Sequence, residues 1–512
     1  MFQYELVWRP SSFAEAENVG CNTRISMHQR LSMPFPITTA EIMLGVAIVA
    51  IYGVAIFAQR RSRRDVDGGL SEMKFNRWLI GLGASTTANS GFIATGSVAV
   101  GYAFGLKSLV LAIGWLLGDL VFWYFFPARI NSVGRESQAT TIPDILVYKL
   151  SGRLTCLLRL VCAVIILAGL MGFLSAQWLA GQQFLASAYA VPRLPALVLF
   201  ALIIIGYSSI GGFRGSIYTD VVLAAIRFVG SIIALTTVVW FALDDRPDFA
   251  KHIADAGAGF MSLRSGGIAG TASFMFGFAL AAICFGLGQP HVLARYLSGR
   301  SPEETRSAWW IYIGFGQFMW VSMMIFGALL RGVMPDIAEP QMGLRVFFQA
   351  KTNAVLTGSI LVHIFATNAA ASNALLVTMA QTITRNIVPR AYRNLNIQRC
   401  LLITILLVGA VSILLSAAMH GSAYEVAFSA MPLMGAGLAA GVMIKVMGWR
   451  HSAASLLCAV LGGITAAVVW HLLGFGSYIN EPGIGTASGL LINWWVLKIS
   501  GSGATPLDSR SR

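Results

Sequence analysis

The sequence predicts an all-α protein that crosses a membrane many times, and two observations lead to this prediction. Of its 512 residues, 56% are hydrophobic and only 11% are charged, whereas a soluble domain carries about 25% charged residues. The apolar residues also fall into runs of roughly 20, which is the length that a helix needs to span a bilayer. Together these features exclude a soluble protein of two or three domains.

About thirteen apolar stretches are candidates for spanning helices by their length. They lie near 42–58, 79–106, 109–127, 160–189, 194–209, 219–242, 266–288, 309–330, 354–380, 400–418, 427–444, 453–473 and 484–499. The last one is short and contains glycine, so twelve spans is the alternative. We expect one membrane domain at 40–500, an N-terminal extracytoplasmic segment at 1–39 and a cytoplasmic tail at 501–512.

The net charge of +14 follows from the way basic residues are placed between the spans. Most of the 36 Lys and Arg residues fall in alternate loops, and the acidic run Asp244, Asp245 and Asp248 falls in the opposite set. Because loops rich in Lys and Arg stay in the cytoplasm, we expect the N-terminus outside and the C-terminus inside. The predicted location is a plasma membrane of the bacterial inner-membrane type, and no nucleic-acid partner is needed to explain the charge.

The opening segment is polar and lacks the apolar core of a signal peptide. Met27 and Met33 stand just before the first span. We expect the chain to start at one of them, which would leave the preceding residues without a function.

Cysteine and histidine patterns argue against an enzyme or a metal centre. The six cysteines are scattered without a Cys-x-x-Cys pair, and the seven histidines are dispersed, so neither a disulfide framework nor a zinc site is expected. The chain contains neither the His-Glu-x-x-His nor the Gly-x-Ser-x-Gly signature of hydrolases. We therefore predict a protein that is not an enzyme and holds no cofactor of these kinds.

Span two, 79–106, is uncharged but carries a polar patch near its middle. The patch consists of Ser85, Thr86, Thr87, Asn89, Ser90 and Gly91. Every backbone polar group must find a partner in lipid, so such a patch indicates a helix that breaks where it lines a cavity. The alternative is that small and hydroxyl residues only allow helices to pack closely.

Span seven resembles span two, and the pair predicts an internal repeat. Span seven is also uncharged and rich in glycine, and it runs into Gly286–His291, where Pro290 interrupts the helix. Five spans separate the two starts, so residues 79–242 and 266–444 would form a 5+5 inverted repeat. Interrupted segments at matching places in two inverted halves mark the binding site of secondary transporters.

Two ionisable side chains lie deep within predicted spans. Arg227 is about 8 residues, or about 12 Å, inside span six, and intramembrane arginines are functional candidates. Asp220 lies seven residues earlier on the same helix face. Arg227 could instead snorkel to the surface or pair with Asp220. Asp119, in span three, could balance Arg227, relay protons or be a structural carboxylate.

Four sequence stretches resemble the sodium/solute symporter family, which includes bacterial proline and sugar symporters. They are Gly83-Ala-Ser85 with Gly101-Tyr-x-x-Gly105, Thr141-Ile-Pro-Asp144, Tyr207-Ser-Ser-Ile-Gly-Gly-Phe213 with Tyr218-Thr-Asp220, and Gly286-Leu-Gly-Gln-Pro-His-Val-Leu-Ala-Arg295. The resemblance implies a LeuT-like inverted-repeat core with flanking helices, alternating access and transport of a small organic solute.

The resemblance also implies an ion site between spans two and nine. In the family, sodium binds two span-two carbonyls, which correspond to Ala84 and Thr87, and oxygens of an Ala-x-x-Ser-Ser/Thr motif on span nine. Here that motif is Ala366-Thr-Asn-Ala369-Ala370, so both hydroxyls are replaced by alanine. Sodium prefers oxygen ligands, as calcium does, and this site is therefore degraded.

Transporters of the same fold that work without sodium can place a basic side chain at the ion site. We therefore hypothesise that the Arg227 guanidinium occupies the lost sodium site. Transport would then be sodium-independent or coupled to protons, with sodium coupling as the family default. The alternatives for Arg227 given above stay open at this point.

Candidate solute contacts follow from the same comparison. The candidates lie on three spans. They are Asn89, Ser90, Gly91 and Phe92 on span two, Gln177, Trp178 and Gln182 on span four, and Ala282 and Gly286 on span seven. The last two replace family aromatics, so we do not expect proline; an amino acid, carboxylate or related metabolite is expected. The alternative function is a transporter-like sensor or receptor without net transport.

Overall fold

The computed structural model of the protein describes residues 39–64, 73–257, 259–263, 268–388, 397–419, 422–477 and 479–500. Within these ranges the chain is helical and forms no β-strand beyond one isolated bridge between Phe75 and Gly299. The predicted N-terminal segment, up to residue 38, and the predicted tail at 501–512 lie outside the described residues.

Among the described residues, the first half of the chain forms nine α-helices. They are α1 (Thr39–Arg64), α2 (Arg77–Ala88), α3 (Gly96–Phe104), α4 (Leu109–Phe125), α5 (Pro127–Ser137), α6 (Ile142–Val147), α7 (Arg153–Tyr189), α8 (Arg193–Asp244) and α9 (Arg246–Asp255). Each predicted span from 42 to 242 is helical over most of its length, and span two, 79–106, consists of two helices, α2 and α3. Their apolar composition accounts for this agreement, since a long apolar segment buries its backbone polar groups most simply as a helix.

The second half repeats the pattern of long helices joined by short ones. Its helices are α10 (Ile268–Gly288), α11 (Pro290–Leu297), α12 (Pro302–Ser307), α13 (Trp309–Val333), α14 (Gly343–Lys351), α15 (Ala354–Thr382), α16 (Ile397–Ala418), α17 (Ser422–Val446), α18 (Ala453–Leu472) and α19 (Glu481–Ser500). A π-helical turn, Ile383–Ile387, follows α15. Among the described residues, nine helical stretches are long and apolar enough to cross a membrane.

Helix α8 contains two predicted spans, 194–209 and 219–242, joined without a loop. The turn between them is made by one residue, Gly212, whose φ of 55° and ψ of −149° are not helical. Glycine adopts this conformation without the steric penalty that a Cβ would bring. The family-like stretch ending Gly-Gly-Phe213 therefore serves to redirect the chain.

Helix α15 occupies the centre of the bundle. All residues of its most apolar window are buried, and it packs against α1, α7 and α8. Large apolar side chains on the outer helices are exposed instead, for example Val164 on α7 and Leu407 on α16. Exposed apolar surface of this extent fits a lipid environment, so the fold places α15 inside a ring of lipid-facing helices.

Both stretches predicted to be interrupted are interrupted. The first breaks between α2 and α3, at residues 89–95. The second continues through Gly286 and breaks at Gln289, with Pro290 as the first residue of α11. Proline is tolerated at the first helical position because it has no N–H to leave unpaired.

Candidate functional site

The break after α2 is a short irregular segment with defined hydrogen bonds. The helix ends at Ala88, a 3-10 turn spans Gly91–Ile93, and α3 begins at Gly96. Ser90 is extended, with φ −74° and ψ −172°, and its side chain accepts a hydrogen bond from the Phe92 backbone N–H at 3.3 Å. The predicted polar patch therefore does interrupt the helix, and its hydroxyl groups replace lost helical hydrogen bonds.

Two amino acids of α13 hold the end of α2. The Ser85 hydroxyl donates to the Tyr312 carbonyl at 2.9 Å, and the Trp320 indole donates to Asn89 Oδ1 at 2.8 Å. The Asn89 amide in turn donates to the Ser85 carbonyl at 2.9 Å. Sequence reasoning did not find Trp320, and its only signal is a hydrogen-bonding aromatic within a long apolar span.

An aromatic cluster covers the α3 side of the break. The Phe92 ring lies against Gly96, where an added Cβ would be 2.1 Å from the ring, and its centroid is 6.0 Å from that of Trp320. Trp320 stacks on Trp115 of α4 at 5.8 Å. Asn89 and Phe92 are thus both tied to Trp320 and lie on one side of the break.

Arg227 reaches the break from α8. Its guanidinium Nη1 donates to the Thr86 carbonyl at 3.0 Å, and its side chain is fully buried. The guanidinium also lies over the Phe315 ring, at 5.7 Å from the centroid, an arrangement that stabilises a cation. Arg227 therefore neither snorkels to a surface nor forms an ion pair with Asp220.

Two of the three Arg227 guanidinium nitrogens, Nε and Nη2, have no hydrogen-bond partner among the described residues. The backbone of Arg227 is fixed from α15, because His363 Nδ1 is 3.1 Å from its carbonyl. The helix that carries the guanidinium is thus held against α15 at the level of the break.

The residues predicted to form the ion site are buried in α2 and α15. Ala84, Ala366, Ala369 and Ala370 are all fully buried. The carbonyl of Ala369 accepts a hydrogen bond from the Tyr207 hydroxyl at 3.0 Å. The α15 side of this region therefore offers methyl groups where the family pattern has hydroxyl ligands.

Asp220 forms an ion pair with Arg295 and not with Arg227. The Arg295 Nη2 is 3.0 Å from Asp220 Oδ2, and both side chains are fully buried. The Thr87 hydroxyl donates to the same carboxylate oxygen at 3.2 Å. Arg295 is buried here because α11, which follows span seven, packs inside the bundle with all of its residues buried.

A network of hydroxyl and amide groups surrounds this ion pair. Arg295 Nη2 also donates to the Ser216 hydroxyl at 2.6 Å, and Asn373 Nδ2 donates to Ser216 and Thr219 at 3.1 and 3.3 Å. Ser208 donates to Asn373 Oδ1 at 2.7 Å. Residues of the Tyr207–Phe213 and Tyr218–Asp220 motifs therefore meet α11 and α15 in one buried cluster.

Two predicted solute contacts, Gln177 and Gly91, lie next to Asn368 of α15. Asn368 was not predicted to contact the solute. A Cβ added to Gly91 would lie 2.2 Å from Asn368 Oδ1 and 3.5 Å from Gln177 Oε1. Asn368 is 2% exposed and Gln177 is 4% exposed. The structure therefore adds Asn368 of α15 to the residues around the break.

Four other predicted contacts lie elsewhere. The Trp178 indole donates to Ser412 at 2.8 Å, and Gln182 Nε2 donates to the Arg193 carbonyl at 3.0 Å. Ala282 and Gly286 pack against α4, where Gly118 and Phe122 are their neighbours. None of these contacts is with a residue of the break.

Asp119 lies on the bundle side of α4 and is 5% exposed. Its carboxylate interacts electrostatically with Tyr296 of α11 and Tyr312 of α13. No ion pair with Arg227 is formed, so Asp119 does not balance Arg227 directly. Its neighbours are aromatic rings, among them Trp123, whose centroid is 5.3 Å from that of Tyr296.

The Thr141-Ile-Pro-Asp144 motif fixes the end of α15. Thr141 caps α6, accepting from the Asp144 N–H at 3.4 Å. Asn386, in the π-helical turn, donates to Asp144 Oδ1 at 3.0 Å. A cavity of about 620 Å³ opens here, lined by residues such as Tyr148, and it contains no residue of the break.

The family model described as "Sodium:solute symporter family" matches residues 70–465. The chain belongs to this family. The match covers the break, the ion pair and α15, and it confirms the resemblance drawn from four motifs. Members of the sodium:solute symporter family are secondary active transporters and not enzymes, and sodium is the coupling ion that the family name states.

Relatives with known names are distant but extend over much of the chain. The osmoregulated proline transporter OpuE of Bacillus subtilis is 21% identical over 86% of this chain and 91% of its own length. The sodium/pantothenate symporter of Escherichia coli is 23% identical over 57% of this chain and 60% of its own length. Both are bacterial transporters, in agreement with a multi-pass membrane transporter.

A solved structure confirms the LeuT-like fold. It is described as a substrate-bound, outward-open state of a Na⁺-coupled sialic acid symporter, with a TM-score of 0.76 and 18% identity. The match covers 91% of this chain and 99% of that chain. At this identity the likeness concerns the arrangement of helices.

Proposed function

We propose that this symporter carries a small organic solute across a bacterial plasma membrane, with solute binding at the break between α2 and α3. Three features support the proposal: the broken helix, the buried polar groups that face it, and the proline and pantothenate transporters among the relatives. Amino acids, carboxylates and related metabolites are the expected solutes. The distribution of Lys and Arg supports an outside N-terminus and an inside C-terminus.

The proposal includes sodium-independent transport, and the single observation that carries it is the Arg227–Thr86 hydrogen bond at 3.0 Å. Thr86 lies between Ala84 and Thr87, the two positions whose carbonyls correspond to sodium ligands. A guanidinium bound to this segment supplies the positive charge that the ion supplies elsewhere in the family. The alanines at 369 and 370 remove the hydroxyl ligands that sodium would need.

Electrostatic repulsion makes the two cations mutually exclusive. Two unit charges 4 Å apart repel by about 4 kcal/mol at an effective dielectric constant of about 20. This energy corresponds to a loss of about a thousandfold in sodium affinity. Because Arg227 is part of α8, it cannot dissociate as sodium does, and the site keeps its charge throughout the transport cycle.

The net charge of the cluster is also what a sodium-loaded site would carry. With Asp220, Arg227 and Arg295 all ionised, the cluster carries one net positive charge. Asp220 and Arg295 cancel each other at 3.0 Å, and Arg227 supplies the remainder. Arg227 thus supplies one positive charge, the same charge that a bound sodium ion would bring.

Uptake by purified protein in liposomes tests this function. Solutes are first screened by thermal unfolding, since a ligand at 100 times its Kd stabilises the protein by about 2.7 kcal/mol. Uptake of the solute found is then measured with sodium, potassium or N-methylglucamine as the only cation, with and without a pH gradient. We expect equal initial rates in the three cations; stimulation by sodium would refute the proposal.

The same experiment addresses the receptor alternative, which the comparisons do not support. A receptor would bind the solute and be stabilised by it without moving it into the liposome. Empty liposomes and the variant Arg227→Lys serve as controls. The lysine keeps the positive charge near Thr86, so we expect this variant to retain sodium-independent uptake at a reduced rate, since lysine presents a single point charge.

A further inference from the structure

Two amide oxygens without hydrogen-bond partners converge on Gly91. Asn368 Oδ1 and Gln177 Oε1 are both buried, and neither accepts a hydrogen bond among the described residues. A Cβ added to Gly91 would lie 2.2 Å from Asn368 Oδ1 and 3.5 Å from Gln177 Oε1. The two oxygens therefore lie close to each other. A buried acceptor without a partner costs about 1–3 kcal/mol, so two of them at one place call for a ligand.

The orientation of Asn368 is fixed by its other amide atom. Asn368 Nδ2 donates to the Ile364 carbonyl at 3.2 Å. Turning the amide over would place its oxygen against that carbonyl oxygen and lose this hydrogen bond. Asn368 therefore presents its acceptor to Gly91, and it can approach this closely because Gly91 has no side chain, since an added Cβ would lie 2.2 Å from Oδ1.

We propose that the solute carries a protonated amine, and that Asn368 and Gln177 accept hydrogen bonds from its N–H groups. This inference rests on the proposed solute site at the break. A protonated amine has several donors that can reach two acceptors at once, and charge-assisted hydrogen bonds are about twice as strong as neutral ones. The amide oxygens thereby gain the partners that the protein does not supply.

Sodium is a less suitable occupant of this place. Oxygen-ligated cations such as calcium take six to eight oxygens, whereas the unpartnered side-chain oxygens at Gly91 among the described residues are the two amide oxygens of Asn368 and Gln177. Arg227 also places a positive charge at the Thr86 carbonyl, near the end of α2 and just before the break. That charge favours an amine accompanied by an anionic group, so the solute class is a zwitterion of the amino-acid type.

Matched solutes test the amine directly. Thermal unfolding of the purified full-length protein in sodium-free buffer is measured with each of the common amino acids. For the amino acid that stabilises most, the test adds its N-trimethyl betaine, which has no N–H, and the acid that lacks nitrogen. We expect stabilisation by the amino acid alone. Equal stabilisation by the betaine or the nitrogen-free acid overturns the proposal, and so does a panel in which no amino acid stabilises.

Variants test the two acceptors. Asn368→Ala and Gln177→Leu should each weaken binding of the amino acid by about ten- to a hundredfold, the value for a hydrogen bond to a charged group. Asn368→Asp keeps an acceptor and should retain binding, which guards against a folding defect. Gln182→Leu is the matched control on the same helix, because Gln182 bonds the Arg193 carbonyl, and it should bind normally.

Three further outcomes would overturn this inference, and the first of them leaves the proposed function intact. Accumulation of a solute that lacks nitrogen leaves the transport function intact and overturns the proposal of a protonated amine.

A competing arrangement turns the Gln177 amide over, so that Nε2 donates to Asn368 Oδ1. Gln177→Leu would then lower the unfolding temperature without solute and leave the affinity unchanged, which also overturns the proposal. Stabilisation by sodium chloride, lost in Asn368→Ala, would assign the oxygens to sodium instead.

Discussion

Arg227 and Arg295 are both fully buried in the same bundle, yet their surroundings differ. Arg295 pairs with the Asp220 carboxylate at 3.0 Å and donates to Ser216 and to the His291 carbonyl. Arg227 has no carboxylate within ion-pair distance among the described residues. The one hydrogen bond that its guanidinium makes there goes to the Thr86 backbone carbonyl at 3.0 Å.

The difference shows how a buried cation can serve either the fold or the site. A buried charge must be paired and hydrogen-bonded to be tolerated, and Arg295 meets this condition with side chains from α8. Arg227 meets it with carbonyl oxygen and an aromatic face, the kind of groups that also hold metal cations. We therefore infer that Arg295 stabilises the bundle, and we propose that Arg227 replaces an ion.

The largest expected effect comes from breaking the ion pair. Arg295→Met leaves the Asp220 carboxylate buried and unpaired, so we expect the free energy of unfolding to fall by about 3–5 kcal/mol. The measurement is thermal or denaturant unfolding in detergent. The double variant Asp220→Asn with Arg295→Met removes both charges and should recover much of the loss. A double variant that is no more stable than the single one would contradict this role.

The next prediction rebuilds the ion site. In the triple variant Arg227→Met, Ala369→Ser, Ala370→Thr, the cation is removed and both hydroxyl ligands are restored. We expect sodium at 100 times its Kd to stabilise this variant by about 2.7 kcal/mol, with potassium as the control cation. Arg227→Met alone, which lacks the hydroxyls, should gain little. If sodium stabilises the wild type as much as the triple variant, Arg227 does not occupy the site.

A smaller effect is expected between the Asp220–Arg295 cluster and the predicted ion site. Tyr207 of α8 links them, since its hydroxyl donates to the Ala369 carbonyl at 3.0 Å. Tyr207→Phe removes one hydrogen bond and should lower the free energy of unfolding by about 1 kcal/mol. Tyr124→Phe, at an exposed position, is the matched control, and an equal loss in both variants would show that the hydrogen bond contributes nothing.

The smallest effect is expected for an ion pair on the surface. Lys149 Nζ is 2.8 Å from Glu136 Oε1, and both side chains are about half exposed. The hydrogen bond from Lys149 lowers the pKa of Glu136 from its ordinary value. The stabilisation is therefore present above that ordinary value, about 4.3, and is lost as the pH falls below it. Lys149→Met should cause no resolvable change in unfolding at pH 7, in contrast to Arg295→Met.

The break and the depth of Arg227 could be predicted because both are local properties of the sequence. A glycine-containing polar patch interrupts an apolar helix wherever that helix lies, and the position of Arg227 along its span follows from counting residues. The same holds for the turn at Pro290, since proline cannot continue a helix that needs its N–H. These predictions needed no knowledge of neighbouring helices.

The partners across the bundle could not be predicted in this way. Asp220 and Arg295 are 75 residues apart in the chain. Their pairing depends on α11 folding into the bundle, and the sequence around Arg295 does not reveal that fold. Asn368 was known to lie on span nine, but which face meets Gly91 depends on how α15 packs. Trp178 shows the opposite case, because its polar atom suggested a solute contact and instead bonds Ser412.

Helix α15 has the lowest hydropathy of the nine membrane-length stretches, although it is the most deeply enclosed. A segment with many polar residues inserts poorly into lipid by itself. Its main neighbours, α1, α7 and α8, all precede it in the chain and are therefore synthesised first. During biosynthesis α15 thus enters the membrane against partners that are already in place, and the order of the helices along the chain is part of what allows this sequence to be assembled.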